Sequence, residues 1–193
     1  MVLADGLNGN WTKLKNVNKI YFGRFYLDEN KTFMGGIWEG ISRFTYQNLQ
    51  TDLGYGISLI SNYIGRADRV DYLGGATFIT NENDSRRNPE GDANGVSLGN
   101  FININLPGEI PSNVSFEQFV LSTPLYMHEY GHTFQSERYG ISYLFAIGIP
   151  SMFSAKSDDH HTKPYERQAN RWARRYLEQH NIHWHLDESR YPN

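Results

Sequence analysis

The stretch His128-Glu129-Tyr130-Gly131-His132 constrains this chain more than any other. Its two histidines stand four positions apart, the spacing that puts side chains one turn apart on one helical face. A helix here therefore brings both imidazoles to the same ion. Glu129 falls beside that face, where a carboxylate can hold an ion-bound water and take its proton. Chance competes with so short a pattern: seven His and eleven Glu in 193 residues produce it in roughly one chain in 70. Two histidines also do not complete a site. The rest of the chain has to supply a third ligand and a scaffold.

A catalytic zinc takes three protein ligands and leaves one position for water. The chain has no cysteine, which excludes disulfides and thiolate ligands and leaves His, Asp and Glu. Thr162 and Pro164 open a long helix reaching about Gln179, with Ala169, Trp172, Ala173, Tyr176 and Leu177 apolar. Glu166 lies in its first turn and completes a His₂Glu set, although an acidic residue there also suits the helix dipole. Asn170 follows one turn later on the same face, placed to brace a ligand. His160, His161 and Tyr165 immediately precede or open this helix and are candidate donors to an oxyanion, each also suited to a structural role.

Composition narrows the setting. With 39% hydrophobic and 15% aromatic residues the chain can bury a core, and 20% charged is ordinary for a globular domain. The net charge of −3 and the lack of a dense basic run argue against nucleic acid as partner. Residues 1–10 lack the charged and apolar regions of a secretory signal. The longest apolar stretch, Tyr143 to Phe153, contains Gly148, Pro150 and Ser151 and is too short to span a bilayer. It reads as a buried packing helix in a soluble protein without a transmembrane segment.

Along the chain, residues 1–20 read as a loose lead-in, and Tyr21–Tyr26 with Thr32–Met34 as short paired strands around Asp28-Glu29-Asn30. Ile37–Leu49 is an amphipathic helix with Ile37, Ile41 and Phe44 inward and Glu39, Arg43 and Gln47 on the other side. Leu53–Ile64 is a second helix, and Gly54-Tyr55-Gly56 reads as a helix junction because a phosphate cradle would need a strand before it and a Lys. Val70–Thr80 reads as a strand weakened by Gly74-Gly75. Residues 80–95 form a polar loop whose acidic residues do not match a calcium loop. Val96–Leu106 is the clearest strand, with Ile102, Ile104 and Leu106 on one face and Phe101, Asn103 and Asn105 on the other. A short helix at Ser115–Val120 has capping-box spacing, and Thr123-Pro124 starts the motif helix, which ends near Gly140. Gly131 inside that helix costs about 1 kcal/mol of propensity, which a close approach by backbone or ligand would explain. His180, His183 and His185 read as a solvated tail. The expected class is α+β: residues 1–65 as an N-terminal helical and irregular extension with a helical pair packed on the core, and residues 66–193 as the core, together one compact domain.

The order H-E-x-G-H, then E-x-x-A-[ND] on the next long helix, resembles the gluzincin branch of zinc metallopeptidases. The matching residues are His128, Glu129, Gly131 and His132, then Glu166, Ala169 and Asn170. The resemblance implies a zincin-like core: a small mixed sheet with an edge strand that aligns an extended peptide, an active-site helix and a glutamate helix. It further implies zinc on His128, His132 and Glu166, with Glu129 as general base. The place of Asn170 is often Asp in that branch, so here the brace on His128 carries no charge. More closely, the stretches GISLISNYIG, SLGNFININLPG, STPLYMHEYGHTFQS and YERQANRWARRY are similar to domains at the C-terminal ends of Rhs/YD-repeat polymorphic-toxin proteins of the Bacteroides type. That likeness implies an effector domain of a larger secreted protein, delivered outside the producing cell and neutralised by a cognate immunity protein. The expectation is a peptidase acting on peptide or protein; the alternatives are a non-catalytic zincin-like interaction module and a metal-dependent hydrolase of another substrate.

Overall fold

Glycines at φ values open to few other residues turn this chain back on itself twice. In the computed structural model, which describes residue 9 and residues 11–82, 93–155, 157, 159–179 and 191–192, Gly74 and Gly75 have φ of 52° and 77° and Gly99 has 63°. Each pair Gly74-Gly75 and Gly99-Asn100 is a two-residue hairpin loop, the setting that demands positive φ. Val70–Thr80 is therefore two strands, β1 (Arg69–Leu73) and β2 (Ala76–Asn81), and Val96–Leu106 is likewise β3 (Asn94–Leu98) and β4 (Phe101–Asn105). Gly74 and Gly75, expected to weaken one strand, instead make the turn between two.

The two antiparallel hairpins join through a parallel β2–β4 pair into one four-stranded mixed sheet of order β1-β2-β4-β3. β4 thus lies inside the sheet, and β3 is the edge. Alternation along β4 holds as expected, since Ile102, Ile104 and Leu106 share one core with Phe78 and Ala76. That core is closed by Tyr126, Met127 and Tyr130 of α5 (Pro124–Tyr139) and by Ala173 and Leu177 of α8 (Pro164–Gln179). The opposite face is covered too: Phe101, Ile79 and Val70 meet Ile20 of α1 (Trp11–Gly23) and Tyr55 and Leu59 of α3 (Asn48–Tyr63). The sheet is sandwiched between helices, and α1 and α3 share a core with its strands.

The N-terminal part departs most from expectation. Residues 11–23 are helical rather than loose, because Asn16 and Ile20, one turn apart, both face inward, and Asn16 Nδ2 donates to Ala67 O at 2.8 Å. Tyr21–Tyr26 and Thr32–Met34 do not pair as strands; Thr32 accepts from Gly35 N and starts α2 (Phe33–Phe44). α2 is also turned over relative to the expected orientation. Phe33, Met34, Ile37, Trp38, Ile41 and Phe44 are exposed while Glu39 and Arg43 are buried. Arg43 pairs with Glu39 and donates to Tyr26 O and, at 2.6 Å, to Gly75 O, so the ion pair locks α2 onto the β1–β2 turn. Lys31 bridges Glu39 and Glu137 at 3.2 and 2.8 Å. Gly54 and Gly56 lie within α3 rather than at a junction; a Cβ at Gly54 would sit 2.2 Å from Leu98 O, so α3 rests directly on the β3–β4 hairpin.

On the other layer, Ser115 and Gln118 close a full capping box at α4 (Phe116–Ser122), and Pro124 opens α5 as expected. Gly140, φ 54°, ends α5. The chain then runs through α6 (Ile141–Tyr143), a π-helical turn (Leu144–Gly148) and α7 (Ile149–Ser154). This segment is not the buried packing helix expected. Only Tyr143 and Ile147 point inward, and Phe145, Met152 and Phe153 are exposed. A short 3₁₀ turn, His160–Thr162, leads into α8. Among the described residues no helix is long and apolar enough to cross a membrane. Residues 1–8 and 10 of the lead-in, residues 83–92 of the polar loop, and His180, His183 and His185 lie outside the described residues.

Candidate metal centre

The site begins with a close crossing of α5 and α8. A Cβ on Gly131 would lie 2.2 Å from Ala169 O, so glycine alone lets the two backbones come this near. The crossing sets three side chains against one another: Nε2 of His128 and Nε2 of His132 each stand 3.1 Å from Oε2 of Glu166. One donor atom from each lies within 4.8 Å of the others, and all three residues are buried. This is the expected ligand set, brought together from two helices.

Which atoms carry protons follows from the next contacts outward. Asn170 Nδ2 donates to Pro192 O at 2.9 Å, which fixes the amide so that Oδ1 faces His128 Nδ1 at 2.7 Å. Gln135 Nε2 donates to Tyr165 O at 2.8 Å and Gln168 Oε1 at 2.9 Å, so its Oε1 faces His132 Nδ1 at 2.7 Å. Both imidazoles are thereby held with the proton on Nδ1 and a lone pair on Nε2. Three acceptor atoms then face one another in a buried space, an arrangement that is repulsive until a cation enters it. Glu166 Oε1 adds to this, being buried with no hydrogen-bond partner among the described residues. Ligands about 2.0–2.1 Å from a tetrahedral ion stand about 3.3 Å apart, close to the separations seen. The residues present fit a divalent first-row ion held by two imidazoles and a carboxylate.

Electrostatics agree. In place of a metal ion, protons can fill that space: burial pushes the Glu166 carboxyl up, but hydrogen bonds and charge from His128 and His132, when these carry a second proton on Nε2, outweigh it and hold the group well below the usual range. Burial opposes the His132 cation, yet the hydrogen bond and charge of Glu166 leave its pKa raised. The pocket attracts positive charge.

Glu129 lies on α5 next to this set and is buried. Its Oε2 accepts from Ser97 Oγ at 2.6 Å, and Tyr143 OH donates to Ser97 O at 3.0 Å. A Cβ at Gly95 would sit 2.7 Å from Glu129 Oε1, so the edge strand β3 lies directly against the carboxylate. His128, Glu129 and His132 line a cleft of about 470 Å³ together with residues of α3, β3 and α7. His160 lines it too, with Nδ1 3.7 Å from Glu166 Oε1 and 2.8 Å from Ser154 Oγ. Burial lowers the pKa of His160.

Of the three oxyanion candidates, only His160 belongs to the cleft. Tyr165 OH stands 3.1 Å from Ser154 Oγ, and the His161 ring meets those of His160 and Tyr191 edge-on or tilted; neither is among the described residues lining the cleft. Other residues at the site carry no sequence expectation. Ser97 and Tyr191, whose ring packs on His128 with centroids 5.6 Å apart, come from distant parts of the chain. Gln135 did leave a signal, because a residue three positions after a helical His shares its face. No protein-family model, curated protein or solved structure matches the chain.

Proposed function

We propose that the chain is a zinc-dependent metallopeptidase with His128, His132 and Glu166 as ligands and Glu129 as general base. One observation carries this reading: two Nε2 atoms and a carboxylate oxygen meet, at 3.1 Å from carboxylate to each imidazole, and both imidazoles line a cleft that also holds Glu129. When bound there, zinc supplies a Lewis acid and lowers the pKa of water toward about 7. Glu129 takes the proton of the attacking water and returns it to the leaving amine. Ser97 fixes Oε2 of that carboxylate and leaves Oε1 to carry the proton. His160 lines the cleft beside the donor set and is the side chain placed to stabilise the developing oxyanion.

β3 is the sheet edge, so an extended peptide can add beside it by backbone pairing and reach Glu129. The zincin-like reading of the core draws on the same parts: a mixed sheet with an edge strand, the motif helix α5 and the glutamate helix α8. The four stretches that resemble Rhs-type effector domains fall on α3, the β3–β4 hairpin, α5 and α8, the elements around the cleft and donor set. On that resemblance the chain is the effector part of a larger secreted protein, with an immunity protein as partner.

The test is a digest of unfolded protein substrate before and after chelation. Stoichiometric zinc, with cleavage that chelation abolishes and zinc restores, supports the reading. Cleavage that survives chelation contradicts it, and zinc without hydrolysis of any peptide would leave a zincin-like interaction module.

A further inference from the structure

α2 is anchored through its polar side and leaves its apolar side uncovered. Glu39 and Arg43 tie the inner face to the β1–β2 turn. Along the outer face Phe33, Met34, Ile37, Trp38, Ile41 and Phe44 recur with helical period. Each of these six is between 39% and 82% exposed. The face continues toward α1, where the Phe25 ring lies 5.5 Å from that of Phe44 and 5.9 Å from that of Tyr21, centroid to centroid. Phe25 and Tyr21 are exposed as well. At about 200 Å² for a large side chain, this continuous face exposes on the order of 900 Å², most of it apolar. The largest apolar patch on a monomer is ordinarily about 300–600 Å², and a stable interface takes about 800 Å² from each partner.

The chemistry of the face selects among occupants. None of its residues is charged, so it meets its own copy without like-charge repulsion and holds nothing that would steer an acidic or basic partner. A lipid surface fits less well. Helices that lie on membranes carry Lys and Arg on their polar side, whereas the one basic residue of α2, Arg43, is buried against Glu39. Arg24, whose guanidinium lies over the Phe44 ring, pairs with Asp52, and Lys31 pairs with Glu39 and Glu137. Glycine weakens a helix interior, yet a Cβ at Gly36 would meet nothing within 4 Å, so no packing inside the chain accounts for it. Gly36 stands one turn before Gly40 beside the apolar face, where it lets a second helix come close. A two-fold dimer, the commonest closed assembly, uses one such patch twice.

We infer that the chain pairs with a second copy of itself through α2. The two helices run antiparallel about a two-fold axis between Ile37 and Ile41, so that Ile37 of each copy meets Ile41 of the other, and Phe33 and Met34 cover Phe44. None of these residues lines the cleft beside Glu129. Pairing leaves that cleft open, and the inference stands apart from the peptidase reading.

Sedimentation equilibrium tests it. Interfaces of this area hold at micromolar concentration or below, so wild type at about 100 μM has twice the chain mass of 22.3 kDa. Ile37→Glu and Ile41→Lys, both at exposed positions, each give monomers with the helix content of wild type by circular dichroism. Mixing the two variants restores the dimer, because the new acid of one copy faces the new base of the other. Monomeric wild type at that concentration, or a dimer that both substitutions leave intact, overturns the inference, and a mixture that stays monomeric overturns the antiparallel pairing. Monomeric wild type that floats with phosphatidylcholine vesicles, with Ile37→Glu left behind, overturns it as well and assigns the face to lipid.

Discussion

Asn170 holds His128 from the side away from Glu166, its Oδ1 2.7 Å from Nδ1 of the imidazole while its own amide donates to Pro192 O. Gln135 does the same for His132. Such contacts set the tautomer and ring orientation, and their loss lowers metal affinity about 10–100-fold. Asn170→Ala and Gln135→Ala should each weaken zinc by that factor in a competition titration with a chromophoric chelator, and because both amides are buried each should also lower the melting temperature of the metal-free protein. Tyr191→Ala, which uncovers the His128 ring, should act in the same direction. Unchanged affinity in Asn170→Ala and Gln135→Ala would show that these amides do not position the ligands.

The α5–α8 crossing makes Gly131 irreplaceable. Alanine gains about 1 kcal/mol of helix propensity over glycine, but here its Cβ would meet a backbone carbonyl at 2.2 Å. Overpacking of that kind costs about 1–3 kcal/mol and moves backbone. Gly131→Ala should lower the denaturant midpoint and, by spreading the helices, weaken zinc as well. A more stable Gly131→Ala would contradict the close crossing.

The buried Arg43–Glu39 pair carries the attachment of α2. Removing one partner of a buried pair costs about 3–5 kcal/mol because the other charge is left stranded, and Arg43 also serves two backbone carbonyls. Arg43→Ala should therefore be far more damaging than Lys31→Ala, which removes a partly exposed partner worth about 1 kcal/mol or less. Equilibrium unfolding of the two variants checks the order, and equal effects would contradict it.

Alkali should unfold the protein through its buried phenols. Burial pushes Tyr126, Tyr130 and Tyr143 above the ordinary value of about 10. A group whose folded pKa is raised contributes stability that is full below the unfolded pKa and is lost as pH rises through the folded one. Lys31 has the same sign: burial lowers its pKa, but the charges of Glu137 and Glu39 raise it overall. Stability should be insensitive to these groups up to about pH 10 and fall above it by about 1.4 kcal/mol per pH unit for each phenol ionised only in the unfolded chain. Tyrosinate absorbance should appear together with unfolding. Full ionisation near pH 10 in a protein that stays folded would contradict the burial.

Much of the site was legible because it is local. His128, Glu129 and His132 are linked by helix geometry, Thr123-Pro124 and Gly140 mark the ends of α5, and Glu166 and Asn170 share one face of α8. What sequence could not give depends on distant partners. Gly74-Gly75 weakens a strand or turns it, according to whether Ala76 can pair back with Leu73. Glu39 and Arg43 look solvent-facing until the carbonyls of Tyr26 and Gly75 are in reach. Ser97 and Pro192 have no motif at all; they matter because the sheet edge and the end of the described chain arrive beside α5 and α8.

The central claim is that Glu129 works on a substrate beside a metal held by its neighbours, and Glu129→Gln tests it most directly. Glutamine keeps the size of the side chain and a carbonyl oxygen for Ser97, but it cannot take a proton. Zinc content and peptide cleavage should be measured on the same preparations of wild type, Glu129→Gln and Glu166→Ala. The account predicts one zinc per chain in wild type and Glu129→Gln, cleavage by wild type only, and zinc lost from Glu166→Ala, where two ligands remain. Undiminished cleavage by Glu129→Gln, or wild-type protein that binds no metal, would contradict it.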